Sequence, residues 1–241
     1  MKSTSQYNLM TNKHIQPDWN LSQTLNYFQS DTKSKILKDL NLIENGNSTS
    51  YLFKFFGFKF NLIHQTHSAE VVEVSKNCHN LSGDSIFTRE KNVIVAVRTA
   101  DCVPILLSDK NGSFVAAIHC GWRGIAKNIL KKTIKKINSK DYIAWIGPGI
   151  SQSFFTTDRD VFDAFMVLDN RLTKYFKYKN SKFYVNLFGV VEFLLIKNGV
   201  DLIYGNSITQ DFCTFRDDKY FFSYRRDQTP YRLISAACIK S

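Results

Sequence analysis

Short apolar runs bounded by Gly, Asn or Ser recur along this chain from residue 51 to its end. Such runs, rich in aromatic and β-branched residues, are typical of strands. We predict strands over residues 51–60, 60–64, 71–74, 93–97, 104–107, 114–118, 142–146, 202–204, 221–224 and 233–238. Apolar residues at helical spacing predict helices over about 34–43, 125–137 and 187–197.

One hairpin can be placed from its turn. Asn111 and Gly112 lie between two of the predicted strands, and Asn-Gly between apolar runs is a strong hairpin signal. The turn is expected to bring Cys102, before the first strand, close to His119, at the end of the second. This hairpin requires an antiparallel pair, while helices and strands are interleaved elsewhere. The sequence therefore predicts an α/β or mixed α+β sandwich, with mixed sheets and flanking helices.

Three candidate metal ligands each stand at the end of a predicted buried strand: His67, Cys102 and His119. Strand ends hold side chains rigidly, and two imidazoles with one thiolate are a ligand set used by catalytic zinc, which leaves a fourth position for water or substrate. A single histidine at a strand end is more often structural. Three such groups in motif-like surroundings favour a metal site, so we predict a zinc enzyme, with a single copper ion as an adventitious substitute.

Two neighbours of these ligands are expected to be bystanders. Residues three apart in a strand point to opposite faces, so His64 and His67 cannot both reach one metal. We choose His67 because it ends the strand, whereas His64 continues the apolar run. Cys120 likewise points away from His119 if the segment is extended, and it is predicted to pack in the core.

Carboxylates and arginines complete the candidate site. Asp84 and Asp101 are the predicted general acid or base residues, although an aspartate in a turn usually caps its own loop. Arg123 is the first candidate for phosphate binding, because a guanidinium fork fits a phosphate in a bidentate manner. The other predicted substrate-binding residues are Gln65, Arg225 and Arg226.

Composition excludes several classes of protein. Of 241 residues, 44% are hydrophobic and 22% charged, which suits one folded domain over residues 1–241. The formal charge of +11 comes from lysines scattered along the chain, so nucleic acid is not an expected partner. No apolar run approaches the ~20 residues of a membrane span, and no signal-peptide core is evident. Five Cys, an odd number, suit reduced thiols, and we expect a cytoplasmic protein.

The motifs resemble those of the YfiH family. Its members have been called multicopper polyphenol oxidoreductases or laccase-domain proteins, and later purine nucleoside phosphorylases with adenosine deaminase activity; the bacterial peptidoglycan editing factor also belongs there. The resemblance spans residues 60–232, and residues 1–59 are divergent. It rests on Gln-Thr-His at 65–67, Gly-Asp-Ser-Ile-Phe-Thr at 83–88, Thr-Ala-Asp-Cys-Val-Pro at 99–104, His-Cys-Gly-Trp-Arg-Gly at 119–124, Gly-Pro-Gly-Ile at 147–150, Cys-Thr at 213–214 and Phe-Phe-Ser-Tyr-Arg-Arg-Asp at 221–227.

This resemblance implies both a fold and an activity. The fold would be the family's α/β sandwich, which is likened to bacterial toxin deamidases that use a Cys and a His. His67, Cys102 and His119 fall on the family's zinc ligands. The implied activities are zinc-dependent phosphorolysis of adenosine, inosine or methylthioadenosine and deamination of adenosine, with a purine nucleoside and phosphate as partners.

The chain departs from the family pattern at several positions. The family usually has Gly where Ser68 stands and Ala where Cys120 stands, and it tends to a carboxylate where this chain has Thr156. The family's Thr-Gly-Arg near the end appears here as Thr-Pro-Tyr-Arg at 229–232. These departures bear on substrate affinity and on activity itself.

Two other functions stay open on sequence grounds. Cys102, activated by His119, would make a metal-free cysteine hydrolase or deamidase. A non-catalytic peptidoglycan-quality or partner-binding role is favoured by the missing carboxylate at Thr156. A multicopper mechanism within one chain is excluded by counting. A blue-copper centre alone uses two His and one Cys, a laccase adds a cluster with several more histidines, and this chain has five His.

Overall fold

The computed structural model describes residues 25–30, 32, 59–75, 81–207 and 212–241. The predicted helix over 34–43 and nearly all of the predicted strand over 51–60 lie outside these residues. Strands occur in the order β1 (Leu25–Gln29), β2 (Lys59–Leu62), β3 (Val71–Glu73), β4 (Ser85–Thr88), β5 (Val93–Thr99), β6 (Val103–Asp109), β7 (Val115–Cys120), β8 (Tyr142–Ile146), β9 (Thr156–Thr157), β10 (Phe176–Lys179), β11 (Lys182–Val185), β12 (Val200–Gly205) and β13 (Leu233–Ile239).

Helices follow or separate these strands. They are α1 (Trp122–Ala126), α2 (Ile129–Ile137), α3 (Arg159–Leu168), a 3-10 helix (Asn170–Tyr175), α4 (Leu187–Lys197) and α5 (Tyr224–Asp227). Among the described residues, the structure contains no helix with both the length and the apolar character that crossing a membrane requires.

The strands form mixed sheets, as predicted. The largest has the order β12-β8-β6-β7-β4-β3, the second β1-β13-β5-β2, and a small third sheet β10-β11-β9. In the largest sheet β6 is antiparallel to both β7 and β8, whereas β12 runs parallel to β8 and β3 parallel to β4. In the second sheet β13 and β5 are antiparallel, and β2 runs parallel to β5.

The four inner strands of the largest sheet, β4, β6, β7 and β8, are buried on both faces, which explains their nearly continuous apolar sequences. One face packs against the second sheet through a core that includes Ile86, Val95, Leu106, Ala117 and Trp145. The other face packs against α1, α2 and α4 through a core that includes Ile105, Ile118, Ile125, Ile129 and Phe188. The described residues therefore form a helix, sheet, sheet sandwich, and the predicted fold class is confirmed.

The predicted Asn-Gly hairpin joins β6 to β7. Gly112 has a positive φ of 67°, and its backbone N–H donates to the carbonyl of Asp109 at 3.1 Å. The register pairs Pro104 with His119. Cys102, two residues before Pro104, is thus held beside the end of β7, as the sequence predicted.

Two predicted elements differ from the structure. The helix expected over about 125–137 is divided, because Asn128 adopts a left-handed conformation with φ of 66° between α1 and α2. The strand predicted over 221–224 is wrong. There the Ser223 hydroxyl accepts the backbone N–H of Arg226 and caps α5, since a serine at this position satisfies a free N–H of the first helical turn.

Candidate metal centre

The structure brings the three predicted ligands together from distant parts of the chain. His67 lies in the loop between β2 and β3, Cys102 in the turn between β5 and β6, and His119 within β7. Their candidate ligand atoms all lie within 4.8 Å of one another. The His67 Nε2 to Cys102 Sγ distance is 3.8 Å. These residues therefore form a group that can hold a metal ion.

The turn that carries Cys102 crosses from one sheet to the other, since β5 belongs to the second sheet and β6 to the largest. Asp101 makes this crossing with φ of 90°, a conformation that is costly for a residue with a Cβ. Its carboxylate accepts the Thr214 hydroxyl at 2.7 Å and the Arg225 backbone N–H at 2.6 Å. These bonds to the C-terminal part of the chain hold the turn, and with it the thiol, in place.

Gly121 closes the centre on the side of α1. A Cβ on this residue would lie 2.9 Å from His67 Cδ2, 3.1 Å from Cys102 Sγ and 3.6 Å from His119 Cε1. The first distance is shorter than real Cβ contacts and the second is tight, so a side chain here would force the ligands to shift, whereas glycine lets the backbone approach them this closely.

Asp84 lies beneath the ligands and is 0% exposed. Its Oδ1 is 2.7 Å from His119 Nδ1 and 3.1 Å from the backbone N of His67. Its Oδ2 accepts the backbone N–H groups of Thr66 at 3.3 Å and Ser68 at 2.6 Å, and the Ser68 hydroxyl at 2.7 Å. Because Nδ1 of His119 is engaged here, Nε2 is the nitrogen left for a metal.

Contacts among Cys102, His119 and Asp84 shift the pKa values of all three groups. Burial alone raises the pKa of the Cys102 thiol, but the charge of His119 and hydrogen bonds with His119 and His67 outweigh it and lower the pKa to about 6. Burial lowers the pKa of His119, whereas the Cys102 and Asp84 charges and hydrogen bonds raise it to about 9. Burial also raises the pKa of Asp84, yet its bonds to His119 and Ser68 hold that pKa well below the usual range. Without metal, the cluster favours a thiolate beside an imidazolium.

Cys120 behaves as the sequence predicted. It is buried in the core formed with α1, α2 and α4. Burial, together with the charges of Cys102 and Asp84, raises its pKa well above the usual value for a thiol. It stays a neutral packing residue.

The donor set fits the metal that the sequence predicted. One sulfur that is readily ionised and two imidazole nitrogens are the soft and borderline donors that zinc prefers, and three protein ligands are the pattern of a catalytic site. His119 is only 4% exposed, while His67 and Cys102 are more accessible. A fourth position would therefore open on the side of His67 and Cys102.

Two predicted substrate-binding residues have structural contacts instead. The Gln65 amide donates to the Arg98 carbonyl at 2.8 Å and accepts the Arg98 backbone N–H at 2.8 Å, so it joins the loop to β5 like an extra strand residue. The Arg226 guanidinium donates to the carbonyls of Thr214, Phe215 and Phe221. It thus holds the chain between residues 214 and 221, and its charge is paired with Asp227.

Arg225 and Arg123 keep exposed guanidinium groups. Arg225 donates to the carbonyl and hydroxyl of Thr156, each at 3.2 Å, and lies over the Phe155 ring at 5.4 Å. Thr156 is neutral, so this contact places no negative charge beside the guanidinium. Arg123 stacks over the Trp122 ring at 4.5 Å. Both arginines are tied to segments that contact the cluster, since Arg123 lies two residues after Gly121 and the Arg225 backbone N–H donates to Asp101, the residue before Cys102.

Sequence reasoning missed Ser68 and Thr214 as parts of this centre, whereas the close backbone approach at Gly121 was expected from its place after His119. Ser68 stands next to a motif residue that was singled out, and Thr214 lies in the Cys-Thr motif. Their roles come from bonds and approaches between distant segments, which the linear order does not reveal.

Comparison with known proteins agrees with the fold and the motifs. Residues 38–240 match the family model described as multi-copper polyphenol oxidoreductase laccase. A Haemophilus influenzae protein named purine nucleoside phosphorylase is 36% identical over 176 residues, which cover 71% of this chain and 70% of that protein. The Escherichia coli purine nucleoside phosphorylase YfiH is 31% identical and covers 72% of this chain and 71% of its own length. A solved Neisseria meningitidis protein superposes with a TM-score of 0.82 at 27% identity, over 95% of this chain and 100% of that one.

The sandwich and its His, Cys and His cluster thus define an α/β protein with a candidate metal centre. The chain belongs to the YfiH family, whose model bears the polyphenol oxidoreductase laccase description. The family predicted from the motifs is confirmed.

Proposed function

We propose that this protein is a zinc-dependent purine nucleoside enzyme that catalyses phosphorolysis of adenosine, inosine or methylthioadenosine and deamination of adenosine. The observation that carries the proposal is the convergence of His67, Cys102 and His119 within 4.8 Å. The substrate class is supported by relatives that are named purine nucleoside phosphorylase. A purine nucleoside and phosphate are therefore the partners we expect.

Zinc held by these three residues supplies a Lewis acid and an open coordination position for water or substrate. The chain's own residues prepare that position. The lowered pKa of Cys102 makes the thiolate available at neutral pH, and the contact with Asp84 leaves Nε2 of His119 as the ligand atom. Gly121 keeps the approach to the ligands free of a side chain.

Arginine is the natural partner for phosphate in the phosphorolysis step, in which phosphate attacks the anomeric carbon of ribose as the base departs. We propose Arg225 and Arg123 for this role. Arg225 is supported by its neutral partner, Thr156, and by the hydrogen bond that links its backbone to Asp101, the residue before Cys102. Arg123 is supported by its exposure two residues after Gly121.

The predicted proton transfer by Asp84 or Asp101 has weaker support. Both carboxylates are buried, and each accepts hydrogen bonds from protein groups on both oxygens. We therefore do not assign substrate protonation to them.

The proposal can be tested on the purified full chain. Elemental analysis should find one zinc per chain, and incubation with adenosine should give inosine without phosphate and adenine with ribose 1-phosphate when phosphate is added. Cys102→Ala should lose both the zinc and the products, whereas Cys120→Ala, a matched change of a buried cysteine one strand position beyond His119, should keep both. Full turnover in protein freed of metal would contradict the proposal.

A second candidate function, a cysteine hydrolase or deamidase, is favoured by one specific observation. Asp84, His119 and Cys102 form a chain of contacts in which the thiol pKa falls to about 6, the arrangement that activates a cysteine nucleophile. Activity of metal-free protein that iodoacetamide abolishes would support this function. Protection of Cys102 from alkylation by zinc, together with activity only in the zinc-loaded protein, would exclude it.

A further inference from the structure

Behind the metal ligands, one carboxylate contacts both histidine segments. Oδ1 of Asp84 lies 2.7 Å from Nδ1 of His119. The same oxygen accepts the backbone N–H of His67, and Oδ2 accepts the N–H groups on either side of it, those of Thr66 and Ser68. A carboxylate behind a ligating histidine fixes its tautomer and ring orientation. Here that same group also holds the loop that presents the second histidine.

The loop needs such support because of its conformation. His67 has φ of 55°, in the left-handed region that residues with a Cβ adopt at a cost. Three successive backbone N–H groups that converge on one anion form a concave site that offsets this cost. The buried carboxylate would leave these donors unpaired if it were removed, and unpaired buried donors are destabilising.

Ser68 adds a side-chain bond to the bonds that the backbone of this loop makes with Asp84. Its hydroxyl donates to Oδ2 of Asp84 at 2.7 Å, and Oγ of Ser68 accepts the backbone N–H of Glu70 at 3.2 Å. Glycine at this position would provide the backbone N–H alone. The side chain of Ser68 therefore ties the loop to the carboxylate and to the chain that leads into β3.

We propose that Asp84 and Ser68 are positioning residues of the metal centre, in which one carboxylate sets the spacing of the His67 and His119 ligands and the Ser68 hydroxyl fixes that carboxylate. This inference rests on the metal-binding part of the proposed function. It assigns neither residue a contact with substrate.

Asp109 and Ser113 form a similar aspartate–serine pair away from the ligands and serve as a control for Asp84 and Ser68. Asp109 is buried at the β6–β7 turn and accepts the Ser113 backbone N–H at 2.8 Å and the Ser113 hydroxyl. It lies at the far end of β6 from Cys102, about 20 Å along an extended strand. Asp109→Asn and Ser113→Ala thus remove the same kinds of bond without touching the cluster.

The test measures metal binding directly, without substrate. Zinc affinity is determined by competition with a chromophoric chelator for the wild type and for Asp84→Asn, Ser68→Ala and Ser68→Gly. The absorption spectrum of the cobalt-substituted protein reports ligand geometry, and thermal unfolding of the metal-free proteins reports the fold. Asp109→Asn and Ser113→Ala are measured in parallel.

We expect Asp84→Asn to weaken zinc binding by about 10- to 100-fold and to alter the cobalt spectrum. Ser68→Ala and Ser68→Gly should weaken it by a smaller and mutually similar factor, because both lose the hydroxyl bond to Asp84. The two control variants should lower the unfolding temperature of the metal-free protein and leave zinc affinity and the cobalt spectrum unchanged. That separation distinguishes positioning from general stabilisation.

Two results would overturn the inference in distinguishable ways. If the wild type binds zinc tightly and both Ser68 variants match it in affinity and spectrum, the positioning role fails while the proposed function stands. The Ser68 variants decide this even if Asp84→Asn does not fold. If the wild type binds neither zinc nor cobalt, the metal centre and this inference fail together.

Discussion

Asp109 and Asp84 are buried near opposite ends of the β6–β7 hairpin. They accept similar hydrogen bonds, but one stabilises a turn and the other supports the candidate metal centre. Asp109 accepts the N–H and hydroxyl of Ser113, four residues along the chain, and the Ser139 hydroxyl at 3.1 Å, and neither serine neighbours a candidate metal ligand. Asp84 accepts the N–H and hydroxyl of Ser68, 16 residues away, and also contacts His119, 35 residues away. The Asp109 carboxylate stabilises the turn. The Asp84 carboxylate holds together two segments that carry candidate metal ligands, so its loss should weaken metal binding.

The largest difference in zinc binding between the two ends of the hairpin is expected when the sulfur at the ligand end is removed. Cys102→Ala should weaken zinc binding by more than about 100-fold, since even residues behind the ligands contribute about 10- to 100-fold. Isothermal titration with zinc measures the effect, and Cys120→Ala is the control with near wild-type affinity. Wild-type affinity in Cys102→Ala would show that the metal lies elsewhere.

A methyl group added at one end of the hairpin should change zinc affinity, whereas one added at the other end should change only stability. Gly121→Ala would place its Cβ 2.9 Å from the His67 ring and 3.1 Å from the Cys102 sulfur, so it should weaken zinc binding by about 10-fold or more. Gly112→Ala places alanine at φ of 67° in the turn, which should cost about 1 kcal/mol of unfolding free energy and leave zinc affinity intact. Zinc titration and urea unfolding separate the two. Equal zinc affinity in both variants would contradict the account.

The electrostatic difference between the two ends should appear in the pH dependence of alkylation. In metal-free protein the pKa of Cys102 is lowered to about 6 and that of His119 is raised to about 9. A lowered thiol pKa means that the reactive thiolate persists as pH falls, so iodoacetamide labelling of Cys102 should lose half its rate only near pH 6, well below the ~8.5 of an ordinary cysteine. Peptide mass spectrometry follows this residue alone. A midpoint above pH 8 would contradict the assigned environment.

The smallest expected effect on zinc binding lies at the turn. Asp109→Asn leaves the Ser113 donors poorly paired, which should lower the free energy of unfolding by about 1–3 kcal/mol. Urea unfolding of the metal-free protein measures this loss. Zinc affinity should not change, and a parallel loss of zinc binding would mean that the two ends of the hairpin are coupled more tightly than we infer.

The fold and the ligands were largely predictable because their signals are local. The Asn-Gly turn, the apolar runs and the positions of Cys102 and His119 at strand ends are all visible in short stretches of sequence. Hairpin geometry then converts a long separation in sequence into proximity, as the β6–β7 register confirms.

The parts that sequence reasoning did not predict depend on long-range contacts. Gln65 was predicted to bind substrate, but its amide joins the backbone of Arg98 in β5. Arg226 was a second such candidate, yet it satisfies loop carbonyls. The local sequence around a polar motif residue does not indicate whether its side chain will bind a ligand or the backbone of a distant segment. For the same reason, the contacts of Asp84 could not be read from its turn.

The central claim is that His67, Cys102 and His119 bind one divalent ion, and zinc K-edge X-ray absorption of the zinc-loaded protein tests it most directly. The account predicts one sulfur neighbour at about 2.3 Å and nitrogen neighbours at about 2.0–2.1 Å, with the sulfur contribution absent from any zinc retained by Cys102→Ala. A zinc environment of nitrogen and oxygen alone in the wild-type protein would contradict it.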